Sequence, residues 1–457
     1  MAQAFFGGVH PHDMKAATNE KAIEQLAPPA VVVIPMSMHF GAPCTPLVKA
    51  GDHVKVGQKI GEFHGLGAPI HASVSGTVKA VEPRPYSMGG NIMSVVIEND
   101  MQDEVSEEVQ APADPNALSV EEMVEIVKNA GIVGMGGATF PTHVKITSGI
   151  GKVNTVIING AECEPYITGD HRTMLERPEE IIGGAKFLAK MFGVDKVVIG
   201  VEDNKRNGID AMNKVIAEQK APVVVEPLRC RYPQGGEKQL CQAITGRQVP
   251  PGGLPADIGC AVFNINTTCA IYRALTTGMP VVRKIVTVSG SGVVEPKNLE
   301  CPIGTPVSSL LDACGGLKDG TYKLIAGGPM MGMAQYTADI SVAKGTGAIL
   351  AFCENEEKTV ENPQCIRCGK CVSVCPMHLE PLFMYQYASK GMVEELNDAH
   401  IMDCMECGAC SYICPARMHL THMFKTGKQL VKDKAAADRA AAEAKKKAEE
   451  AKEAAAK

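Results

Sequence analysis

The sequence predicts a multidomain protein of mixed α/β and β architecture, and three observations predict it. At 457 residues the chain exceeds what one core usually serves, so three or four domains are expected. Between 153 and 226, segments of strand, helix, strand, helix and strand character alternate, which implies a parallel sheet with helices on its faces. From Cys365 to Cys414 a cysteine run is written twice, the mark of a separate small module.

The cysteine module is the most specific element. Cys365, Cys368, Cys371 and Cys375 precede Pro376, and Cys404, Cys407, Cys410 and Cys414 precede Pro415. Both copies read C-x₂-C-x₂-C-x₃-C-P, the run that holds [4Fe–4S] clusters, in which the fourth cysteine serves the other cluster. The expected ligand sets are therefore Cys365, Cys368, Cys371 with Cys414, and Cys404, Cys407, Cys410 with Cys375. Structural zinc prefers two separated C-x₂-C pairs and leaves the third cysteine of each run surplus. Disulfides need an oxidising compartment that nothing here suggests. Ile366, Val374, Met405 and Ile413 are expected to shield the clusters. Leu382, Phe383, Tyr387, Met392, Val393 and Leu396 fall at helical spacings between the copies, so residues 358–427 read as an α-helical ferredoxin. The other nine of the 17 cysteines read as buried thiols.

Composition narrows the function class. A hydrophobic content of 45% with 46 glycines and 29 prolines describes a folded, turn-rich protein. A net charge of −6 argues against nucleic acid as a partner. No apolar run approaches the ~20 residues of a membrane helix, and no signal peptide is expected.

Taken in order, residues 1–30 form an N-terminal segment whose Gly7-Gly8-Val9-His10-Pro11 turn has no deducible chemistry. Residues 31–100 carry short β-branched strands punctuated by glycine and resemble a biotinyl/lipoyl-type barrel. The hairpin Glu62–Gly67 lacks the lysine of a carrier domain, so a rigid spacer or docking module is expected. Residues 101–115 read as an acidic linker. Ser119 and Glu122 form a capping box, and a helix face of Met123, Ile126, Val127 and Ala130 ends at Gly131. The tract Gly134-Met135-Gly136-Gly137 lets backbone N–H groups approach phosphate or a flat ring. A strand over 153–159 leads to Glu162 and Glu164. A helix opens at Pro178 and closes at Gly193, followed by a strand at 196–201, a helix at 209–218 and a strand at 222–226. Glu202 and Asp203 read as solvated or capping acids. Tyr232 to Lys238 and Phe263 to Cys269 read as turns leading into helices. After 427 the sequence is Ala/Lys/Glu-rich, expected as a solvated helix or disorder.

Together these motifs carry a resemblance. Gly134–Thr142, Asn159–Pro165, Tyr232…Gly235…Glu237 and Ile265-Asn266-Thr267 resemble, in order, the FMN- and NADH-binding subunit of respiratory complex I. Arg283–Gly316 resembles the β-grasp (SLBB) module that follows in that family. With the Gly-Gly-Val-His-Pro opening, the barrel and the twin cysteine motifs, the chain resembles the C-subunit family of the Rnf electron-transport complexes from about residue 5 to 425. The resemblance implies a Rossmann-like FMN/NADH domain over 116–282, an SLBB domain over 283–352 and a tail over 428–457.

The resemblance also implies site residues. Gly134, Gly136, Gly137 and Lys145 would line the flavin phosphate and dinucleotide region. Asn159, Glu162 and Glu164 would contact the isoalloxazine or nicotinamide, and Phe140 would stack on the adenine or nicotinamide. Tyr232, Gly235 and Glu237 would close the far wall, and Asn266 with Thr267 would hold the ribityl or phosphate end. Met135, Ala161 and Gly236 depart from the complex I pattern, where arginine, aspartate and glutamate are usual. The implied cofactors are non-covalent FMN and two [4Fe–4S] clusters, with NAD(H) as substrate and no acid–base catalyst. The implied partners are integral membrane subunits and a ferredoxin-like iron–sulfur subunit, at the cytoplasmic face of the cell membrane. Ferredoxin is reached indirectly, and Na⁺ or H⁺ is moved by the partners. The alternatives are a soluble NADH:acceptor dehydrogenase subunit of a hydrogenase or bifurcating enzyme, and a cluster-bearing docking subunit with a vacant flavin pocket.

Overall fold

Strand alternation in the first hundred residues produces two facing sheets. In this computed structural model, which describes residues 5–354 and 360–455 with side chains to 447, Val31–Pro35, Asn91–Asn99, Gly76–Pro85 and His53–Val54 pair antiparallel in that order. Thr45–Pro46, Lys59–Glu62 and Ile70–His71 form the second sheet. Val32, Ile34, Val54, Ile60, Ile70, Val95 and Ile97 point inward and are fully buried, as period-two alternation requires. The expected linker at 101–115 is not free. Val56 N–H donates to the Glu104 carbonyl at 2.8 Å and Ser106 N–H to the Val56 carbonyl at 2.9 Å, so backbone pairing holds it on the barrel edge.

The next domain is built on a parallel sheet. Its strands lie in the order Val223–Leu228, Val197–Glu202, Thr155–Gly160, Cys260–Asn264. The first three follow one another across the sheet, whereas Cys260–Asn264 returns to the other side of Thr155–Gly160. That reversal falls between Thr155–Gly160 and Cys260–Asn264, and beyond the carboxyl ends of such a strand pair is where ligands bind in open α/β sheets. Helix Pro178–Phe192 spans the expected residues and ends at left-handed Gly193, burying Ile181, Ile182 and Leu188 on the sheet. Helix Val120–Asn129 carries the expected capping box, with Glu122 N–H to Ser119 Oγ at 3.2 Å and Ser119 N–H to Glu122 Oε2 at 2.7 Å.

A six-stranded mixed sheet follows, ordered Ile23–Gln25, Lys297–Pro302, Arg283–Ser289, Ala348–Cys353, Thr321–Ala326, Met333–Gln335, with helix Val307–Ala313. Ile23–Gln25 pairs parallel with Lys297–Pro302, so this part of the N-terminal segment is built into the sheet. Cations fasten these domains together. Lys344 Nζ donates to the carbonyls of Pro69 and Gly131, both at 2.7 Å, and Arg177 forks onto Glu300.

These domains make one compact unit over 10–357; a second comprises Phe5–Val9 with 358–457. The second unit contains helices Lys370–Ser373, Pro381–Ser389, Val393–Asp398, Ala409–Ile413 and Leu420–Ala455. Met384, Leu396, Ile401 and Phe424 form its core. The expected boundary at 427 falls inside the last helix, which is buried at Val431 and exposed from Lys432 to Lys447. The expected start of this domain at 358 lies outside the described residues, as do 1–4 and 456–457. Among the nine other cysteines, Cys163, Cys230 and Cys353 are half-buried rather than buried.

Candidate functional site

Several of the expected residues are brought together at the sheet reversal. Asn159 and Asn264 end adjacent strands and are register partners. Asn159 Nδ2 donates to the Gly235 carbonyl at 2.8 Å, which brings the 232–237 turn over the strand end. Asn264 caps helix Ile265–Thr277 through Oδ1, accepting from Asn266 N–H at 2.8 Å. The glycine loop closes on itself through Gly134 N–H to the Phe140 carbonyl at 2.9 Å. Thr267 Oγ1 anchors it by accepting from Met135 N–H at 2.9 Å and donating to the Val133 carbonyl at 3.2 Å. A β-carbon at Gly136 would lie 2.8 Å from Asn264 Nδ2, while one at Gly137 would meet nothing within 4 Å. The loop is thus packed on one side and open on the other. Met135, where the complex I pattern has arginine, is buried and plugs the core beneath it.

Side chains with surface in the ligand-free chain are open to a ligand. Phe140, Lys145, Asn159, Glu164, Gly235, Glu237 and Asn266 are partly exposed, and Gly137 is exposed. Lys145 Nζ reaches Glu237 Oε1 at 2.7 Å and the Val262 carbonyl at 3.0 Å. Glu164 accepts from Met330 N–H at 3.1 Å and from the Tyr232 hydroxyl at 3.4 Å, and burial pushes its carboxyl up to about 7. Tyr232 and Thr267 are buried.

Glu162, expected at the ring side, has its carboxylate turned to a helix start. Its side chain is 3% exposed and accepts from Asp170 N–H at 2.6 Å and His171 N–H at 3.3 Å, the first turn of helix Gly169–Glu176. Lys15 stands opposite, its Nζ 3.8 Å from Glu162 Oε2. Burial pushes Glu162 up to about 7 and Lys15 down, and their attraction opposes both shifts. Glu202 is likewise not solvated: it is 1% exposed, pairs with Lys205 Nζ at 3.2 Å, and Lys205 holds the Ala161 carbonyl at 2.7 Å.

Several members are invisible to motif reading because they arrive from elsewhere in the chain. Lys284, from the mixed sheet, is buried with Nζ 3.3 Å from the Met135 carbonyl, and burial lowers it to about 8 against the pull of Asp170. Asp170 in turn accepts from Asn264 Nδ2 at 2.8 Å and from Asn266. Gln234, by contrast, lies inside the expected far-wall turn; it is 4% exposed, and its Nε2 is a buried donor without a partner among the described residues.

In the second unit, one cavity is lined by Cys404, Cys407, Cys410 and Cys375, with Met405, Leu379, Met384 and Phe424. Another is lined by Cys365, Cys368, Cys371 and Cys414, with Ile366, Tyr385 and Met418. Each cavity takes three cysteines from one repeat and one from the other. The two repeats share backbone: Arg367 and Glu406, Gly369 and Gly408, and His378 and Arg417 all have left-handed φ between 53° and 78°. At Gly369 and Gly408 that φ caps the short helix carrying the third cysteine, a conformation glycine adopts without strain. Arg367 N–H and Glu406 N–H each lie 3.4 Å from the first sulfur of their repeat. Burial raises Cys404 to about 11 and Cys407 to about 12, so an uncompensated thiolate is disfavoured there. Among the described residues, no three His, Cys, Asp or Glu converge on a single-ion site. Of the four expected shields, Met405 and Ile366 line the cavities. Ile366 is 66% exposed, and Val374 and Ile413 line neither cavity, whereas Leu379, Met384 and Phe424 do.

Family comparisons follow the same domain order. Profiles described as RnfC barrel sandwich hybrid domain, Nuo51 FMN-binding domain, SLBB domain and 4Fe-4S dicluster domain match residues 3–102, 127–273, 285–334 and 357–415. Over 401 residues the chain is 45% identical to the C subunit of the Na(+)-translocating ferredoxin:NAD(+) oxidoreductase complex of Acetobacterium woodii, covering 87% of this chain and 90% of that one. It is 43% identical over 402 residues to the C subunit of the proton-translocating ferredoxin:NAD(+) oxidoreductase complex of Clostridium ljungdahlii, covering 88% of each. With the C subunit of the ion-translocating oxidoreductase complex of Rhodobacter capsulatus it shares 41% over 379 residues, covering 82% of this chain and 73% of that one. The crevice, the paired four-cysteine cavities and these relatives lead to one conclusion: the chain belongs to the C-subunit family of the Rnf-type, ion-translocating ferredoxin:NAD oxidoreductase complexes.

Proposed function

We propose that this chain transfers electrons between NAD(H) and ferredoxin-side carriers through FMN and two [4Fe–4S] clusters, as a peripheral subunit at the cytoplasmic face of the membrane. Partner subunits, among them integral membrane proteins and a ferredoxin-like iron–sulfur subunit, couple this transfer to Na⁺ or H⁺ translocation. Among the described residues no helix is long and apolar enough to cross a membrane.

One observation carries the reading: a glycine-lined crevice at a sheet reversal and two four-cysteine cavities occur in one chain. A flavin, when bound, supplies the exchange between hydride and single electrons that links a dinucleotide to iron–sulfur cubes. The residues fit it. Gly137 leaves open space, Gln234 offers an unpaired buried donor, and Lys145 is a cation on the helix after the glycine loop, placed to meet a phosphate. On this reading Gly134, Gly136, Gly137 and Lys145 bind the phosphate end. Asn159, Glu164, Gly235 and Glu237 orient the rings, with Asn266 beside them. Phe140 offers a face for stacking, and Tyr232, Thr267 and Glu162 hold the walls. No side chain needs to move a proton to a substrate. Rossmann-like, lipoyl-like, β-grasp and α-helical ferredoxin describe the four domains.

The two cluster sets are Cys365, Cys368, Cys371 with Cys414, and Cys404, Cys407, Cys410 with Cys375. Cys365 and Cys368 are exposed, so that set is the one an external carrier can approach. Anaerobic titration with NADH, following flavin and cluster signals together, tests the proposal. Flavin bleaching accompanied by cluster reduction supports it. Cluster absorbance without flavin bands supports the docking-subunit alternative, and recovery of the native chain away from membranes supports the soluble one.

A further inference from the structure

We propose that Phe5–Val9 is a strap that seats Cys375 and keeps water from the buried cysteine cavity. The inference rests on reading that cavity as a cluster site, and it assigns a role to the Gly7-Gly8 motif, whose sequence context carries no chemistry of its own.

The strap is anchored at both ends and contacts the chain on both sides of Cys375. Phe5 and Val9 are 2% and 4% exposed. Between them Gly8 N–H donates to the Val374 carbonyl at 2.8 Å, and the Phe6 ring stacks on His378 at 4.4 Å between centroids with a 19° tilt. Gly7 and Gly8 have φ of +75° and +81°. A β-carbon at Gly7 would stand 2.8 Å from the Val374 oxygen and 2.9 Å from the Cys375 carbonyl carbon and oxygen. The contact is backbone against backbone, so the position requires glycine for both its conformation and its space.

The internal repeat provides a comparison. Cys414 occupies in the second copy the place Cys375 has in the first, and the flanking backbones agree at His378 and Arg417. Yet Cys375 is buried and Cys414 only half-buried. The covering strap accounts for that difference. Cys375 is also the one ligand its cavity takes from the other repeat, so holding it holds the two repeats in register. Excluding water from a thiolate-ligated cube opposes the added negative charge of reduction, which keeps that cluster's potential low.

The test uses the full chain, purified anaerobically, as wild type, Gly7→Val, Phe6→Ala and Gly391→Ala. Gly391 has the same left-handed φ, +65°, with nothing within 4 Å, and so controls for backbone strain alone. Redox titration followed by paramagnetic resonance should show one cluster shifted upward in Gly7→Val, shifted less in Phe6→Ala, and unmoved in Gly391→Ala. The other cluster should stay in place throughout. In the metal-free chain, Cys375 alkylation should be roughly tenfold faster in Gly7→Val, as local opening allows. Unchanged alkylation and unchanged midpoints in Gly7→Val overturn the strap, as does an equal shift of both clusters. A wild-type chain with iron for one cluster alone, rather than about eight atoms, overturns the two-cluster reading. The alkylation rates still report separately whether the strap covers Cys375.

Discussion

Lys15 and Glu162 stand 147 positions apart in the sequence, and the ammonium of one lies 3.8 Å from the carboxylate of the other. Lys15 Nζ also donates to the carbonyls of Glu162 and Glu164, each at 3.0 Å, and to that of Ile167. One buried cation thereby gathers a loop in which Glu162 and Tyr166 are held at left-handed φ of 47° and 68°. The loop that ends the central strand is shaped from a distant segment, not by its own sequence.

Lys15→Met should therefore release this loop. Removing one partner of a buried pair costs about 3 kcal/mol or more, and flavin content should fall with it. Adding Glu162→Gln should recover part of the lost stability, because the orphaned charge is gone. Thermal melts by circular dichroism and flavin released on denaturation check both; a single variant that melts and binds like wild type defeats the claim.

Glu164 has a raised folded-state pKa of about 7 against an ordinary value of 4.5. Between those values the folded chain binds more protons than the unfolded one, so its contribution makes stability fall as pH rises through that window. The full cost, about 3 kcal/mol, is reached above pH 7. Glu164→Gln should flatten stability over pH 5–7, and an unchanged slope by denaturant titration at stepped pH counts against the assignment.

Glu300 shows the opposite sign. Burial works against its ionisation, but Arg177, Gln25 and Arg273 outweigh burial and hold it at about 2. Its contribution is complete above pH 4.5 and is lost as pH falls towards 2. Glu300→Gln should lower stability by about 3 kcal/mol at neutral pH and by progressively less in acid. Parallel urea curves at pH 7 and pH 3 measure the convergence.

Gly136→Arg should abolish flavin retention while leaving iron content unaltered, because even a β-carbon there meets the Asn264 amide at 2.8 Å. Flavin and iron assays on one preparation decide it; full flavin occupancy would remove the crevice as the binding site.

The fourth cysteines provide a test of ligand pairing. Cys375→Ala should perturb the same paramagnetic signal as Cys404→Ala, and Cys371→Ala the same signal as Cys414→Ala. Cys371→Ala should also stop NADH-driven reduction of distal acceptors. A shared signal for Cys375 and Cys371 contradicts the exchange between repeats.

Local grammar was legible where a function needs a fixed spacing along the chain. The cysteine repeats, the Ser119 capping box, the helix Pro178–Phe192 and the alternating strands before Asn159 all belong to this class, because each is decided within about ten residues. The glycine tract was legible as a site but not in its working. Thr267 anchors the loop and Glu162 accepts from a helix start, contacts that depend on elements distant in sequence.

By itself the sequence determined the order of domains, the two four-cysteine sets as an expectation, and the crevice at the end of the Thr155–Gly160 strand. Only the tertiary structure decided which acids are buried, that Lys15 and Lys284 reach the flavin domain, and that Gly7 lies against Cys375. The reason is physical: periodicity and spacing are written along the chain, whereas burial and charge pairing arise where remote segments meet, and no local pattern records the partner.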